Sequence, residues 1–137
     1  MFTYVNLGLI TFVIYSYTMQ ITTWYTRNFE DRLKGRYVAI KHILPILEDY
    51  QKLFNVSVAG YSEVGVAIPL VTFGQGDKKV LIWSQMHGNE STTTKALFDF
   101  FKFVRLNKQH REMLFSQYTF FVVPILNPVS YTHLRAH

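Results

Sequence analysis

The sequence predicts an α/β layer fold with a partly parallel sheet. Short runs rich in valine and isoleucine are bounded by glycine, and apolar residues elsewhere recur at helical spacing. After a predicted hairpin the two kinds of segment alternate, which is typical of α/β folds. With 137 residues, 49% of them apolar and 17% aromatic, the chain can form one core. We therefore expect a single domain without internal repeats.

The elements follow in order from residue 27. Strands are predicted over 55–59, 67–73 and 79–85, separated by turns at 60–65 and 74–77. The run Val80–Trp83 is continuously apolar, as expected for a strand buried on both faces. Pro45 is expected in the first turn of a preceding helix. The apolar stripe that predicts this helix consists of Ile43, Ile46, Leu47, Tyr50, Leu53 and Phe54.

A second helix is predicted to begin at Ser91 or just before it. Its phenylalanines follow the helical stripe, which predicts core packing instead of a stacking surface. Three polar residues, Lys95, Asp99 and Lys102, share the opposite side. A short helix over 108–115 and an apolar strand over 118–123 follow. The inner stripe of the second helix consists of Leu97, Phe100, Phe101 and Val104.

Residues 1–26 carry no charge and many apolar side chains. They lack both the roughly 20 mostly apolar residues of a bilayer span and the basic start and cleavage site of a signal peptide. We therefore expect no membrane partner and slightly favour the cytoplasm over export. Three interpretations stay open: an edge strand or untidy leader, a weak export or anchor signal, and an extension ahead of a natural start at Met19.

Composition excludes several classes of function. Lys and Arg number 14 against 9 Asp and Glu, a formal net charge of +5, yet no basic run exceeds the pair Lys78 and Lys79. Nucleic-acid-binding proteins concentrate such charge on one face or arm, so no nucleic-acid partner is expected. Because the chain has no cysteine, only His, Asp and Glu remain as ligands for a catalytic metal.

The segment His87-Gly88-Asn89-Glu90 is the strongest candidate for chemistry. It lies between a predicted strand and a predicted helix, and active sites of open α/β sheets gather at the carboxyl ends of strands. The Gly88-Asn89 link can turn the imidazole and the carboxylate toward one zinc ion, about 2.0–2.2 Å from each. If Glu90 enters the first helical turn, the helix dipole helps to keep it ionised. From the residues alone, a structural histidine beside a helix-capping glutamate remains an open alternative.

Other titratable residues are weaker candidates. His133 and His137 have the spacing of two ligands on one helix, but no acidic residue adjoins them. His42 and His110 lack an acidic neighbour at ligand spacing, so surface or helix-face roles are expected. Two acidic residues in glycine turns, Glu63 and Asp77, are expected to be solvated.

Residues 86–94, the strand before them and Pro124-Ile125-Leu126-Asn127-Pro128 together resemble the amino-terminal part of the zinc-dependent metallocarboxypeptidases. The resemblance covers about residues 29–128. It implies a mixed, largely parallel sheet flanked by helices, here truncated, and Zn²⁺ bound by a histidine, a glutamate and a later second histidine. Matched residue by residue, His87 and Glu90 take the first two ligand positions, and Asn89 borders the substrate cleft.

The chain departs from that family at two places. An arginine often follows the turn that corresponds to residues 60–65, and Val66 stands there. The family continues Asn-Pro-Asp-Gly, but Val129 follows Pro128. We therefore divide the chain into an apolar leader or extension (1–26), a carboxypeptidase-like part (27–128) and an atypical tail (129–137). The family's general base, third zinc ligand and carboxylate-binding groups come later, so no catalytic residue is expected here.

The resemblance implies a fragment of an enzyme that hydrolyses C-terminal peptide bonds through a zinc-activated water. We expect the isolated chain to be inactive, and the complete protein to take peptides with a free C-terminus. A zinc-dependent acylase or deacylase of the same fold, acting on N-acyl amino acids, is one alternative, and a non-catalytic binding domain is another. A sheet cut after its early strands exposes edges and apolar surface, so self-association is also expected.

Overall fold

The computed structural model describes residues 7–129, which form a four-stranded mixed sheet and four helices. The strand order is β1-β2-β4-β3. The pairs β1–β2 and β2–β4 are antiparallel, and β3–β4 is parallel. The predicted mixed α/β fold is thereby confirmed. In chain order the elements are α1 (Leu7–Asn28), α2 (Ile40–Tyr50), β1 (Asn55–Tyr61), β2 (Ala67–Phe73), β3 (Lys78–Trp83), α3 (Thr92–Leu106), α4 (Lys108–Gln117) and β4 (Tyr118–Val123).

The hairpin between β1 and β2 lies where the glycine pattern predicts it. β1 continues through Gly60, where the pairing register shifts, so the turn begins later than predicted. Ser62 closes the turn, since its carbonyl accepts from the Gly65 N–H at 2.9 Å and its hydroxyl accepts from the Val66 N–H at 3.0 Å. Gly65 has φ +77°, a left-handed conformation that costs glycine little.

The chain crosses from β2 to β3 through residues 74–77, and β4 later fills the space between those strands. The crossing loop runs against the start of β4: Gln75 N–H donates to the Phe115 carbonyl at 2.8 Å, and Gly76 N–H donates to the Tyr118 carbonyl at 3.2 Å. A Cβ on Gly76 would lie 1.9 Å from the Gln117 carbonyl carbon. Glycine is therefore required for β3 to align with β4.

The core lies between one face of the sheet and the helices α2 and α3. Phe101 is fully buried there, and its ring centroid lies 5.2 Å from that of Phe54 and 5.9 Å from that of Phe73. The predicted helical stripes supply most of the core, and the phenylalanines of α3 pack as predicted. The sheet contributes Val71, Phe73, Phe120 and Val122, and the helices contribute Ile43, Ile46, Leu47, Tyr50, Leu97, Phe98, Phe101 and Val104.

The prediction that Pro45 occupies the first helical turn is wrong, because α2 begins at Ile40 and Pro45 lies inside it. His42 explains the earlier start. Its Nδ1 accepts a hydrogen bond from the Ala39 backbone N–H at 3.0 Å, and the His42 backbone N–H donates to the Ala39 carbonyl at 2.9 Å. This reciprocal pair satisfies groups that would otherwise be unpaired at the helix end.

The prediction that Val80–Trp83 is buried on both faces is also wrong. Val80 and Ile82 pack against the core, but Leu81 is 62% exposed and Trp83 is 51% exposed. β3 is the edge strand of the described sheet, and the core helices cover the opposite face of the strand. Its apolar sequence therefore leaves half of its side chains in solvent.

The exposed apolar side chains of β3 predict that the chain self-associates through this face. Replacing both Leu81 and Trp83 by threonine removes apolar surface and keeps a residue type that favours strands. We expect sedimentation velocity to show a larger monomer fraction for this double variant, with the free energy of unfolding changed by less than about 0.5 kcal/mol. Met113→Gln removes an exposed apolar side chain from α4 and serves as the control. Equal association of the double variant and the wild type would rule out the exposed side-chain face of β3 as the contact.

Residues Leu7–Asn28 form a helix, so an edge strand at the amino end is wrong. Two threonines of this segment satisfy their hydroxyl donors within the helix: the Thr18 and Thr26 hydroxyls donate to the carbonyls of Ile14 and Thr22 at 2.9 and 2.8 Å. The end of α1 contacts α3, with the Trp24 and Phe103 ring centroids 5.7 Å apart. No helix within residues 7–129 is long and apolar enough to cross a membrane.

Candidate metal centre

The sequence-predicted site residues lie together in one loop, residues 84–91, between β3 and α3. The side chains of His87, Asn89 and Glu90 are exposed, while Gly88 is buried. The Glu90 N–H donates to the His87 carbonyl at 3.0 Å, which closes a turn around Gly88 and Asn89. The structure thus brings the three predicted residues into a single turn at the carboxyl end of β3.

Glu90 does not enter the first turn of α3, contrary to the prediction. The helix begins at Thr92, and Ser91 is its N-cap residue, with its carbonyl accepting from the Lys95 N–H at 3.0 Å. The Ser91 hydroxyl also donates to the Arg36 carbonyl, which holds Ser91 against another segment. Glu90 therefore precedes the helix, near its positive end but outside its hydrogen-bonded turns.

A buried polar group lies beneath this loop, and the sequence did not predict it. Ser84, Gln85 and Thr94 are each at most 4% exposed. The Ser84 hydroxyl donates to the Pro124 carbonyl at 2.5 Å, and the Thr94 hydroxyl oxygen lies 2.9 Å from that of Ser84 and 3.2 Å from the same carbonyl oxygen. The signal for this group is the position of Ser84-Gln85 at the end of an apolar run, since polar residues at such a position need buried partners.

The segment 124–128, the second part of the family resemblance, lies beside the same loop. The Leu126 N–H donates to the Ser84 carbonyl at 2.9 Å, and the Asn127 N–H donates to the Gln85 carbonyl at 3.2 Å. These bonds extend the parallel pairing of β3 and β4 beyond the strand ends. Two motifs that are distant in the sequence therefore meet at one edge of the sheet.

The segment between α1 and α2, residues 29–39, also reaches this loop, and we call it the strap. Polar residues of α3 hold its backbone: Lys102 Nζ donates to the Phe29 carbonyl at 2.6 Å, and Asp99 accepts from the Glu30 N–H at 2.7 Å. Lys95 Nζ donates to the Gly35 carbonyl. The predicted polar side of the helix is thus the side that binds the strap.

The weaker candidates lie apart from this loop. His42 caps α2, and the His110 ring lies 5.3 Å from that of Phe103. Glu63 and Asp77 are exposed. His133 and His137 fall outside the described residues. Within residues 7–129, no three side chains of His, Cys, Asp or Glu are grouped closely enough to bind a metal ion.

The donors of His87 and Glu90 fit zinc as part of a larger ligand set. An imidazole nitrogen and a carboxylate oxygen are both normal zinc ligands, and catalytic zinc sites use three protein ligands. Both side chains are exposed, and the backbone of the loop that carries them is hydrogen-bonded to the segment 124–128. The two residues therefore have the donor types of zinc ligands and lie in one turn.

Comparison with known proteins identifies the family and the fold. The sequence profile of Peptidase_M14, described as zinc carboxypeptidase, matches residues 40–134. No curated protein gives a significant match to the sequence. The metallo-carboxypeptidase from Burkholderia cenocepacia superimposes with a TM-score of 0.65 at 23% identity, covering 71% of this chain and 29% of that one.

Two further solved structures resemble this chain. The metallo-carboxypeptidase from Pseudomonas aeruginosa, in complex with (2-guanidinoethylmercapto)succinic acid, has a TM-score of 0.55 at 18% identity, with 67% of this chain and 26% of that chain covered. The carboxypeptidase A from Helicoverpa armigera has a TM-score of 0.52 at 14% identity, with 86% of this chain and 34% of that chain covered. The chain thus spans about a third or less of the length of these structures. At such identities they show the fold, and the profile match over most of the sequence shows that the chain belongs to the zinc carboxypeptidase family.

Proposed function

We propose that this chain supplies His87 and Glu90 as two zinc ligands of a metallocarboxypeptidase that hydrolyses C-terminal peptide bonds. The observation that carries the proposal is the placement of both side chains on one exposed turn at the carboxyl end of β3, beside the Asn127 segment. Family membership supplies the expectation of zinc, and the donor types agree with it.

The residues of this chain would contribute binding and orientation. His87 and Glu90 would hold the metal, and Asn89, which is exposed between them, would border the cleft that binds a peptide with a free C-terminus. Bound zinc supplies Lewis acidity that lowers the pKa of a water molecule. In this proposal the third ligand and the general base come from elsewhere in a polypeptide of family length, because such enzymes need both.

Zinc titration of the 137-residue chain tests the metal assignment. We expect the wild type to bind Zn²⁺ weakly, and His87→Ala and Glu90→Gln each to weaken binding by at least about tenfold, the smallest loss usual when a metal site loses a supporting group. His110→Ala is the matched control, because His110 is exposed on α4 and remote from the loop. Equal affinity of the wild type and His87→Ala would contradict the assignment.

The reaction is tested in a polypeptide of family length that contains this segment. We expect release of C-terminal amino acids from peptides, and loss of that activity in His87→Ala. Hydrolysis of N-acyl amino acids without hydrolysis of peptides would indicate the acylase alternative. Peptide binding that is unaffected by chelators, without hydrolysis, would indicate a binding domain.

A further inference from the structure

We propose that Gln85 is a positioning residue that holds the loop carrying His87 and Glu90. The inference rests on the proposed function for its meaning, since the loop is argued to bind zinc. Gln85 is 4% exposed and lies two residues before His87. It is outside the pair of ligands, so its effect on the metal would be indirect.

The side-chain amide of Gln85 links three separate parts of the structure. Its Nε2 donates to the Val38 carbonyl of the strap at 2.7 Å and to the Gly88 carbonyl of the loop at 3.0 Å. Its Oε1 accepts from the Thr94 hydroxyl of α3 at 2.9 Å. Both amide hydrogens and the amide oxygen are therefore engaged in a buried site, where unpaired polar groups are costly.

The bond to Gly88 is the one that matters for the ligands. Gly88 lies between His87 and Glu90, and the turn that contains it is closed by the bond from the Glu90 N–H to the His87 carbonyl. The Gln85 amide ties the centre of this turn to the buried groups beneath it. The spacing of the two ligands is thereby coupled to α3 and the strap.

The backbone of Gln85 supports the same conclusion. Its φ is +51°, and among the non-glycine residues of the described chain it is alone in having positive φ. A side chain in the left-handed region costs energy that glycine would largely avoid, and such strain is maintained where surrounding contacts fix it. The three hydrogen bonds of the amide provide those contacts. Residue 85 therefore needs both this backbone conformation and a side chain long enough to reach the three partners.

Substitution of Gln85 by methionine tests the inference. Methionine keeps the length and burial of the side chain but removes its amide. We expect hydrogen exchange of the Glu90 amide, followed by NMR without metal, to become at least about tenfold faster, since tenfold corresponds to one lost interaction of ordinary strength. Unchanged exchange at Glu90 would overturn the proposal.

Tyr50→Phe is the control for a general loss of stability. It also removes one buried hydrogen bond, from the Tyr50 hydroxyl to Glu30 Oε2 at 3.1 Å, far along the strap from the loop. A merely structural role for Gln85 would make the two variants alike, with exchange at Glu90 following the drop in Tm in both. The proposal requires a faster exchange at Glu90 in Gln85→Met than in Tyr50→Phe at equal Tm.

Zinc titration separates this inference from the proposed function. If the wild type binds Zn²⁺, we expect Gln85→Met to bind about tenfold or more weakly, as for other supporting groups of metal sites. If the wild type does not bind Zn²⁺, the proposed function fails, and the exchange experiment still decides whether Gln85 holds the loop.

A second variant covers the case in which Gln85→Met does not fold. Thr94→Val is nearly isosteric and removes the hydroxyl that donates to Gln85 Oε1. We expect the same faster exchange at Glu90, to a smaller extent, because the amide keeps its two other bonds. Exchange at Glu90 equal to that of the wild type would contradict the coupling between α3 and the loop.

Discussion

Gly76→Ala is expected to destabilise the chain by more than about 3 kcal/mol, at or beyond the usual range for added atoms in a packed site. The new Cβ would lie 1.9 Å from the Gln117 carbonyl carbon and 2.1 Å from the Tyr118 nitrogen. Both are backbone atoms, so no change of rotamer relieves the overlap. Urea unfolding followed by circular dichroism measures the loss. Because residue 76 lies where the chain crosses to β3, the strand that leads to the loop 84–91 must shift as well.

Gly60→Ala is the matched control for this prediction. A Cβ on Gly60 meets no atom within 4 Å, and its φ is not in the left-handed region. We expect a change of less than about 0.5 kcal/mol, or slight stabilisation, since alanine reduces the entropy of the unfolded chain. Equal effects of the two substitutions would show that contact with β4 is not what restricts residue 76.

The elements from α2 to β4 were predictable because their signals are local. The stripe Ile43, Ile46, Leu47 and Tyr50 marks α2, and glycine marks both ends of β2. Pairing depends on distant contacts, so the position of β4 between β2 and β3 has no local signal. The exposure of Leu81 has none either, because a strand with one covered face and a strand with two can have the same apolar sequence.

The amino-terminal helix was not predicted for a related reason. Its threonines and tyrosines favour strands, and it has no charged face that would mark a helix. In the structure the hydroxyls of Thr18 and Thr26 donate to carbonyls one turn earlier. These bonds form within the helix and need no contact with another element. Intrinsic preference was therefore a poor guide for this segment.

For the candidate site, the sequence predicts the exposed donors better than their support. His87 and Glu90 stand out because their residue types are suited to a metal and they follow an apolar run. Gln85 also follows the apolar run, but glutamine and threonine occur in many roles, so neither Gln85 nor Thr94 is marked by its residue type. Their roles depend on their partners: Gln85 donates to backbone carbonyls of the strap and the loop, and Thr94 donates to Gln85 Oε1.

A buried charged residue near the start of the strap, Glu30, stabilises the attachment of the strap to α2. The Glu30 side chain is 2% exposed and pairs with Arg32, whose Nε lies 2.8 Å from Glu30 Oε1, and with the Tyr50 hydroxyl. Burial raises the pKa of the Glu30 carboxyl, but the hydrogen bonds and charge of Arg32 and the hydrogen bond of Tyr50 together outweigh it, and the pKa falls below its usual value. Burial and the nearby Glu30 charge raise the pKa of Asp99.

These pKa shifts determine how stability depends on pH. The folded-state pKa of Glu30 is lowered, so its contribution is complete above the unfolded value of 4.5 and is lost as pH falls through the folded value. The contribution of Asp99 to stability depends on pH in the opposite direction, because its raised pKa favours protonation in the folded state. Comparing the wild type with a Glu30 variant over pH separates the Glu30 contribution from the rest.

Glu30→Gln is expected to lower the free energy of unfolding by about 2 kcal/mol at pH 7, the loss typical for hydrogen bonds to a charged group. The value lies below that for a fully buried ion pair because the Arg32 side chain is 38% exposed. Below about pH 4 the difference should shrink, since protonated Glu30 resembles glutamine. Asp31→Asn, at a 70% exposed carboxylate 3.6 Å from Lys102, should change stability by less than about 0.5 kcal/mol. A Glu30 effect that is constant from pH 7 to pH 3 would mean that packing, and not the carboxylate charge, attaches the strap.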